Sequence, residues 1–163
     1  MRSKLVKYAP PGYDLSFDQT FYFVGLGIAT ALSFSYFLRF WEKKGDLYTY
    51  HLGERELRPD AIMPDFIDIF EGSLGGYFIL SLCMLLLIAL RYAYYYQNSK
   101  SIYLMKRLPD KFEMHRRCII LPVMAALSCA VIAFLVLLLY FGHYMLFTPD
   151  ACLTPGQWAK IWR

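Results

Sequence analysis

The sequence predicts an all-α integral membrane protein that crosses the bilayer three times. Hydrophobic residues make up 58% of its 163 positions and charged residues 18%, whereas a soluble domain is about 45–50% apolar and about 25% charged. The longest stretches without charge are Phe21–Leu38, Gly72–Leu90 and Cys118–Pro149. A helix crosses a hydrocarbon core with roughly 20 apolar residues, so each stretch is long enough to span, or nearly so. This composition excludes a single soluble domain, a disordered chain and a nucleic-acid binder.

The three stretches are expected to be helices, because backbone polar groups in lipid must be satisfied within the protein. An uncleaved first span is favoured over a signal peptide, since the apolar run continues past Ala29-Thr30-Ala31 to Leu38. The predicted organisation is a lead-in at 1–20, a first span at 21–41, an outer loop with a short amphipathic helix at 42–72, a second span at 73–96, an inner loop at 97–117, a third span at 118–147 and a tail at 148–163.

Lysine and arginine predict the orientation of the spans, because these residues favour the cytoplasmic side. The lead-in and the inner loop together carry nine of them, whereas the outer loop and the tail carry six. The outer loop has a net charge of −4 and the inner loop +4. We therefore expect a multi-pass protein of a bacterial cell membrane, with a cytoplasmic N-terminus and an extracytoplasmic C-terminus.

Small residues recur at helical spacing in the first and third spans. Such residues let two helix backbones approach closely in lipid. They predict helix–helix packing faces on both spans. The face on the third span matches those on the first in its small residues at helical spacing. The predicted packing residues are Gly25, Ala29 and Ser33 on one face, Gly27 and Ala31 on another, and Ala126 and Ala130 on the third span.

Two polar residues near the span ends are candidate functional groups. Arg91 lies close to the inner end of the second span, where an arginine is expected to snorkel to the lipid headgroups. The alternative for Arg91 is a buried functional arginine. His143 lies between Tyr140 and Tyr144 near the outer end of the third span and is expected to be an interface residue rather than a ligand or proton relay.

The outer loop is predicted to contain a short amphipathic helix on the outer membrane face. Pro64 is placed in its first turn, and Phe66, Ile67 and Phe70 on its apolar face. The acidic residues around it are expected to form a solvated face rather than a divalent-cation site, because no glycine-bearing ligand loop accompanies them. These acidic residues are Asp60, Asp65, Asp68 and Glu71.

Neither a metal site nor a disulfide framework nor an enzyme is expected. The four cysteines form no C-x-x-C pair and are interpreted as small packing residues, and the three histidines form no nucleophile–base pair with a neighbour. The cysteines are Cys83, Cys118, Cys129 and Cys152.

The inner loop is too apolar for a plain solvated linker. Ile102, Met105 and Leu108 recur at spacing three, and Pro109 ends the short helix that this pattern predicts. Asp110 and Glu113 occupy capping-box positions for a second helical turn that leads into the third span. An apolar patch flanked by basic residues favours a protein partner; the alternative is an amphipathic stretch that rests on the inner membrane surface.

The string Ser99-Lys-Ser-Ile-Tyr-Leu-Met-Lys-Arg-Leu-Pro-Asp-Lys-Phe-Glu113 resembles the cytoplasmic segment between spans two and three of type 2 ATP-binding-cassette (ABC) exporter permeases. In that family the segment is a coupling helix that seats in a groove of the ATPase subunit. The resemblance implies a coupling-type helix here. The ATPase contacts that it implies are Ser99, Lys100, Ile102, Tyr103, Leu104, Met105, Arg107, Leu108 and Pro109.

These features predict a half-size, permease-like membrane subunit of an ABC-type transporter. The family usually has six spans and this chain has three, so at least one further membrane subunit is expected. The chain has no Walker A glycine loop, so it is expected to bind no cofactor itself, and ATP would be used by a separate ATPase. The alternative is an accessory or scaffold subunit that stabilises a larger membrane complex and transports nothing.

Overall fold

A computed structural model of the chain describes residues 15–51, 54–58, 60–97 and 113–161. The expected coupling helix and all nine of its implied contact residues lie outside the described residues, as does most of the lead-in. The elements are α1 (Leu15–Ser33), α2 (Ser35–Asp46), β1 (Tyr48–His51), β2 (Glu54–Leu57), α3 (Phe66–Phe70), α4 (Gly75–Gln97), α5 (Glu113–Phe147), a 3-10 turn (Asp150–Cys152) and α6 (Gln157–Lys160).

Three helical stretches are long and apolar enough to cross a membrane, which confirms a membrane-embedded, multi-pass protein. They are Leu15–Asp46, formed by α1 and α2 together, Gly75–Ala93 in α4, and His115–Phe147 in α5. At 1.5 Å per residue the first and third are about 50 Å long. They are longer than the hydrocarbon core of about 30 Å, so their ends extend beyond it.

The junction of α1 and α2 is a tightened turn within one long helix. Phe34 has helical dihedral angles, and its backbone N–H donates to Ala31 O at 3.2 Å, three residues back instead of four. Just before it, the hydroxyls of Thr30 and Ser33 donate to backbone carbonyls, each at 2.8 Å. Hydroxyl back-bonding of this kind bends helices, which accounts for the local irregularity.

The small-residue face of α1 packs against α4, not against the matching face of α5. A Cβ on Gly76 of α4 would lie 2.9 Å from Ala29 Cα, and Gly25 faces the side chain of Leu80. Ala29 and Ser33 are buried on this face. The second span therefore lies beside the small-residue faces of both the first and the third spans.

Of the remaining predicted packing residues, one is buried between helices and three are exposed. Ala126 is buried with Leu80, Met84 and Leu87 of α4, where α4 packs along α5. By contrast, Gly27, Ala31 and Ala130 lie on exposed faces within the part of the chain that the structure describes.

An aromatic cluster closes the end of the bundle opposite Gln97, where α2 and the end of α5 meet α3. The ring of Tyr36 stacks on that of Tyr140 with centroids 4.4 Å apart. Tyr36 OH donates to Tyr140 O at 3.1 Å, and Tyr144 OH donates to Pro64 O at 2.8 Å. These bonds satisfy the buried phenols, so the outer loop is fixed to the ends of the long helices.

The chain is mostly helical, which is compatible with the predicted all-α membrane protein. The outer loop adds a short antiparallel hairpin of β1 and β2, in which Tyr48 pairs with Leu57, and its short helix differs from the expectation in one detail. The apolar face of α3 consists of Phe66, Ile69 and Phe70, whereas Ile67 is 38% exposed. The helix begins at Phe66, and positions i, i+3 and i+4 share a face, so Ile69 takes the place expected for Ile67. This face packs into the aromatic cluster.

Adjacent glycines at the start of α4 test the close approach of α1 and α4. Gly76→Ala is expected to lower the free energy of unfolding by about 1–3 kcal/mol, because the new methyl group meets the backbone of Ala29. Gly75→Ala is the matched control, since a Cβ there has nothing within 4 Å. Thermal unfolding in detergent measures both; equal stability of the two variants would contradict this packing.

Candidate functional site: a buried arginine shared by three spans

Arg91 is buried inside the bundle instead of reaching the headgroups. Its exposed fraction is 2%, and its Nη2 donates to Oδ2 of Asp18 on α1, forming a buried ion pair. Asp18 is itself only 8% exposed. The expectation that Arg91 snorkels is therefore corrected. An acidic partner on another span holds the guanidinium inside, because pairing offsets part of the cost of removing both charges from water.

A proline in the third span supplies the second acceptor for Arg91. Pro122 lies inside α5 and has no N–H, so the carbonyl four residues earlier lacks its usual helical donor. That carbonyl belongs to Cys118, and Arg91 Nη1 donates to it at 3.4 Å. The group formed by Asp18, Arg91 and the Cys118 carbonyl is called the arginine node, and it joins all three spans.

The local sequence explains why Asp18 is suited to this position. Asp18 lies in the first turn of α1, where the helix dipole and unsatisfied N–H groups favour a carboxylate. The same position directs its side chain toward Arg91, near the C-terminal end of α4. Sequence reasoning did not single out Asp18, because the sequence analysis assigned it to the lead-in at 1–20 and not to the first span.

A second polar contact lies beside the node, between the end of α4 and the start of α5. The hydroxyl of Tyr92 and Nδ1 of His115 are 2.7 Å apart, and their rings are in contact. These two helices are joined through residues 98–112, which connect Gln97 to Glu113. The node and the Tyr92–His115 contact therefore fasten the helix ends from which that connection leaves.

The groups of the node are suited to fixing helices in place. A guanidinium that bonds a carboxylate and a carbonyl is a strong, directional link. In the described ranges no three His, Cys, Asp or Glu side chains come together as a metal-binding group. The node therefore has the chemistry of a structural joint between spans.

The other candidate residues lie apart from the node, at the aromatic end. His143 packs among rings, with centroid distances of 4.5 Å to Phe147 and 4.8 Å to Phe40. Cys152 is also buried there, whereas Cys129 is buried between α4 and α5. His143, expected to be an interface residue, is thus a packed neighbour of these aromatic rings.

Asp65 joins the tail to the outer loop. Its Oδ1 accepts hydrogen bonds from Lys160 Nζ at 2.7 Å, Thr154 Oγ1 at 2.8 Å and Gln157 Nε2 at 3.0 Å. In return, Gln157 Oε1 accepts from the backbone N–H of Phe66 at the start of α3, at 2.9 Å. The expectation of a simply solvated acidic face is corrected for Asp65, because a lysine and two polar side chains of the tail reach it.

Comparison with protein-family models, with curated proteins and with solved structures gives no match for this chain.

Single and double substitutions test the node. Asp18→Asn or Arg91→Met alone is expected to lower the free energy of unfolding by about 3–5 kcal/mol, because each leaves a buried charge without its ion-pair partner. The double variant removes both charges and is expected to regain most of that loss. Arg39→Met is the control, since Arg39 is exposed and donates to Glu71 O; about 1 kcal/mol is expected. Denaturant unfolding in detergent measures all four, and a double variant no better than the worse single one would refute the pairing.

Acidification tests the Asp65 contact. The pKa of Asp65 is lowered from its ordinary 3.8, mainly by the hydrogen bond from Lys160 and, to a smaller extent, by the one from Thr154. A lowered folded-state pKa means that the contact stabilises the protein above the unfolded pKa and is lost as the pH falls through the folded value. The difference in Tm between the wild type and Asp65→Asn is therefore expected to be largest near neutral pH and to shrink below pH 3.8. Asp68→Asn, on the exposed side of α3, is the matched control for the substitution itself.

Proposed function

We propose that this chain is a permease-like membrane subunit of a multi-subunit ABC-type transporter, which engages a separate ATPase through residues 99–113. The proposal takes the partner from the resemblance of that segment to a coupling helix. The observation that supports a mechanical role is the arginine node, because it fastens all three spans near the point where residues 98–112 leave the bundle.

The packing of α4 and α5 suits them to move as one unit. The two helices pack side by side, with Met84, Leu87 and Cys129 buried between them. The Tyr92–His115 contact fixes their ends beside the 98–112 connection. A displacement of that connection by an ATPase would therefore tilt both helices together, and the Arg91–Asp18 pair would pass the movement to α1.

A transport pathway would have to lie between this chain and another membrane subunit. The centre of the bundle is filled by apolar side chains, among them Leu80, Met84 and Ala126. Large apolar residues face outward along the spans, including Phe78, Leu86 and Leu135. This chain would thus supply one wall of the pathway and would not enclose it.

The second candidate is an accessory or scaffold subunit, and the filled interior is the observation that favours it. In that case the chain would stabilise a complex without coupling ATP hydrolysis to movement. The two functions differ in what residues 99–113 do, so the discriminating substitutions belong there.

Polar substitution in the inner loop tests the coupling role. The affinity-tagged full chain would be purified from its native membranes in mild detergent, and an ABC ATPase is expected to co-purify with it, identified by mass spectrometry and by ATP hydrolysis. Leu104→Asp and Met105→Asp are each expected to reduce the amount of co-purified ATPase at least tenfold. Each would place a carboxylate in an apolar contact. Ile62→Asp, at an exposed apolar residue of the outer loop, is the control.

The outcomes separate the candidates. Loss of the ATPase in both aspartate variants, with unchanged helicity and Tm, supports the coupling function. Retention of the ATPase with unchanged hydrolysis after deletion of residues 99–113 supports the scaffold. Purification without any ABC ATPase overturns the transporter proposal.

A further inference from the structure

A cavity of about 700 Å³ lies at the end of the bundle opposite Gln97, between the end of α2, the hairpin and the segment that follows the hairpin. Ligand cavities in proteins usually measure about 300–1,000 Å³, so this one is large enough for a small molecule. Its lining combines charged side chains of both signs with an apolar surface. The apolar surface consists of Leu47, Leu57, Ala61, Ile62 and Pro64.

Backbone hydrogen bonds hold the walls of the cavity in place. The N–H of Arg58 donates to Leu47 O at 3.1 Å, which extends the pairing of the hairpin by one step. The N–H of Ala61 donates to Arg58 O at 3.2 Å, and the N–H of Met63 donates to Cys152 O at 3.0 Å. Leu47 is also buried against the aromatic cluster. The rest of the fold therefore fixes the backbone around the cavity.

Two opposite charges lie on the same side of the hairpin, where it borders the cavity. Side chains two positions apart along an extended strand point to the same side, about 7 Å from each other, and both Glu56 and Arg58 line the cavity. Thr49 is the cross-strand partner of Glu56 and adds a hydroxyl group there. Asp60 supplies a second carboxylate. The cavity thus presents a guanidinium and two carboxylates.

These three charges are available to a ligand. Lys43 and Asp46, which also line the cavity, form an ion pair with each other, with Nζ and Oδ2 3.8 Å apart. Within the described ranges, by contrast, no ion pair joins Glu56, Arg58 or Asp60 to another residue. A ligand would therefore not have to displace an existing ion pair from these three groups.

A zwitterion matches this set of charges better than a simple ion does. An ammonium group bonds carboxylates, and a carboxylate accepts two parallel hydrogen bonds from a guanidinium. A simple cation would leave Arg58 without an anionic partner, and a simple anion would be repelled by Glu56 and Asp60. An α-amino acid carries both groups on one carbon atom, and an apolar side chain on that carbon can pack on Leu47 and Ile62.

We propose that this cavity binds a small zwitterion of the α-amino-acid type with an apolar side chain. Its ammonium group would bond Glu56 and Asp60, and its carboxylate would bond Arg58. The proposal does not depend on the transporter function, because it uses only α2, the hairpin and the outer loop of this chain.

Equilibrium binding of tritiated L-leucine to the purified full chain in detergent tests the proposal. The wild type is expected to bind leucine saturably. Leucinamide, which lacks the carboxylate, and isocaproate, which lacks the ammonium group, are each expected to compete at least about tenfold more weakly than unlabelled leucine. Arg58→Gln and Glu56→Gln are each expected to weaken leucine binding about tenfold. Arg116→Gln and Glu42→Gln are the matched controls, since both residues are exposed and lie outside the cavity lining.

Three results would overturn the proposal. The first is the absence of saturable leucine binding to the wild type. The second is equal competition by leucinamide and leucine, because the cavity would then hold a cation and not a zwitterion. The third is equal leucine binding by Arg58→Gln, Glu56→Gln and their two controls, with unchanged helicity. The measurement uses this chain without an ATPase, so none of these results bears on the transporter proposal.

Discussion

The arrangement of the three spans depends on one constraint, that the charge of Arg91 must be satisfied inside an apolar bundle. The carboxylate of Asp18 and the carbonyl of Cys118 meet this need from two other helices. Neither neighbour is arbitrary, because Asp18 lies in a first helical turn that favours a carboxylate and Pro122 leaves the Cys118 carbonyl without its helical donor. Moving any one helix away would leave a charged or polar group without a partner. The bilayer core contains no water that could replace the lost hydrogen bond.

The opposite end of the bundle is held in a different way. There the long ends of α2 and α5 extend past the start of α4, and aromatic rings, phenol hydrogen bonds and the Asp65 contacts fasten the outer loop and the tail to them. Among the described residues, charged and polar contacts join the helices at the end with the inner loop, whereas a broad apolar core joins them at the other end.

Sequence reasoning identified the three spans because length and freedom from charge are local properties. The contact partners of individual residues were harder to predict from the sequence. Arg91 was placed correctly along the chain but not inside the bundle, because its burial depends on Asp18, 73 positions earlier in the sequence. Likewise, Gly25 and Ala29 were recognised as packing residues, yet their partner is α4, which carries Gly76 and Leu80 at the contact. The hairpin was missed because Tyr48-Thr49-Tyr50 and Gly53 were read only as part of an acidic loop.

The most direct test of the central claim is the ¹⁵N NMR spectrum of the Arg91 guanidinium in lipid nanodiscs. A guanidinium held by Asp18 and the Cys118 carbonyl is expected to give two separate, slowly exchanging Nη signals at neutral pH, and these should merge in Asp18→Asn. A single averaged signal in rapid exchange with water, unchanged in Asp18→Asn, would place Arg91 at the headgroups and contradict the account.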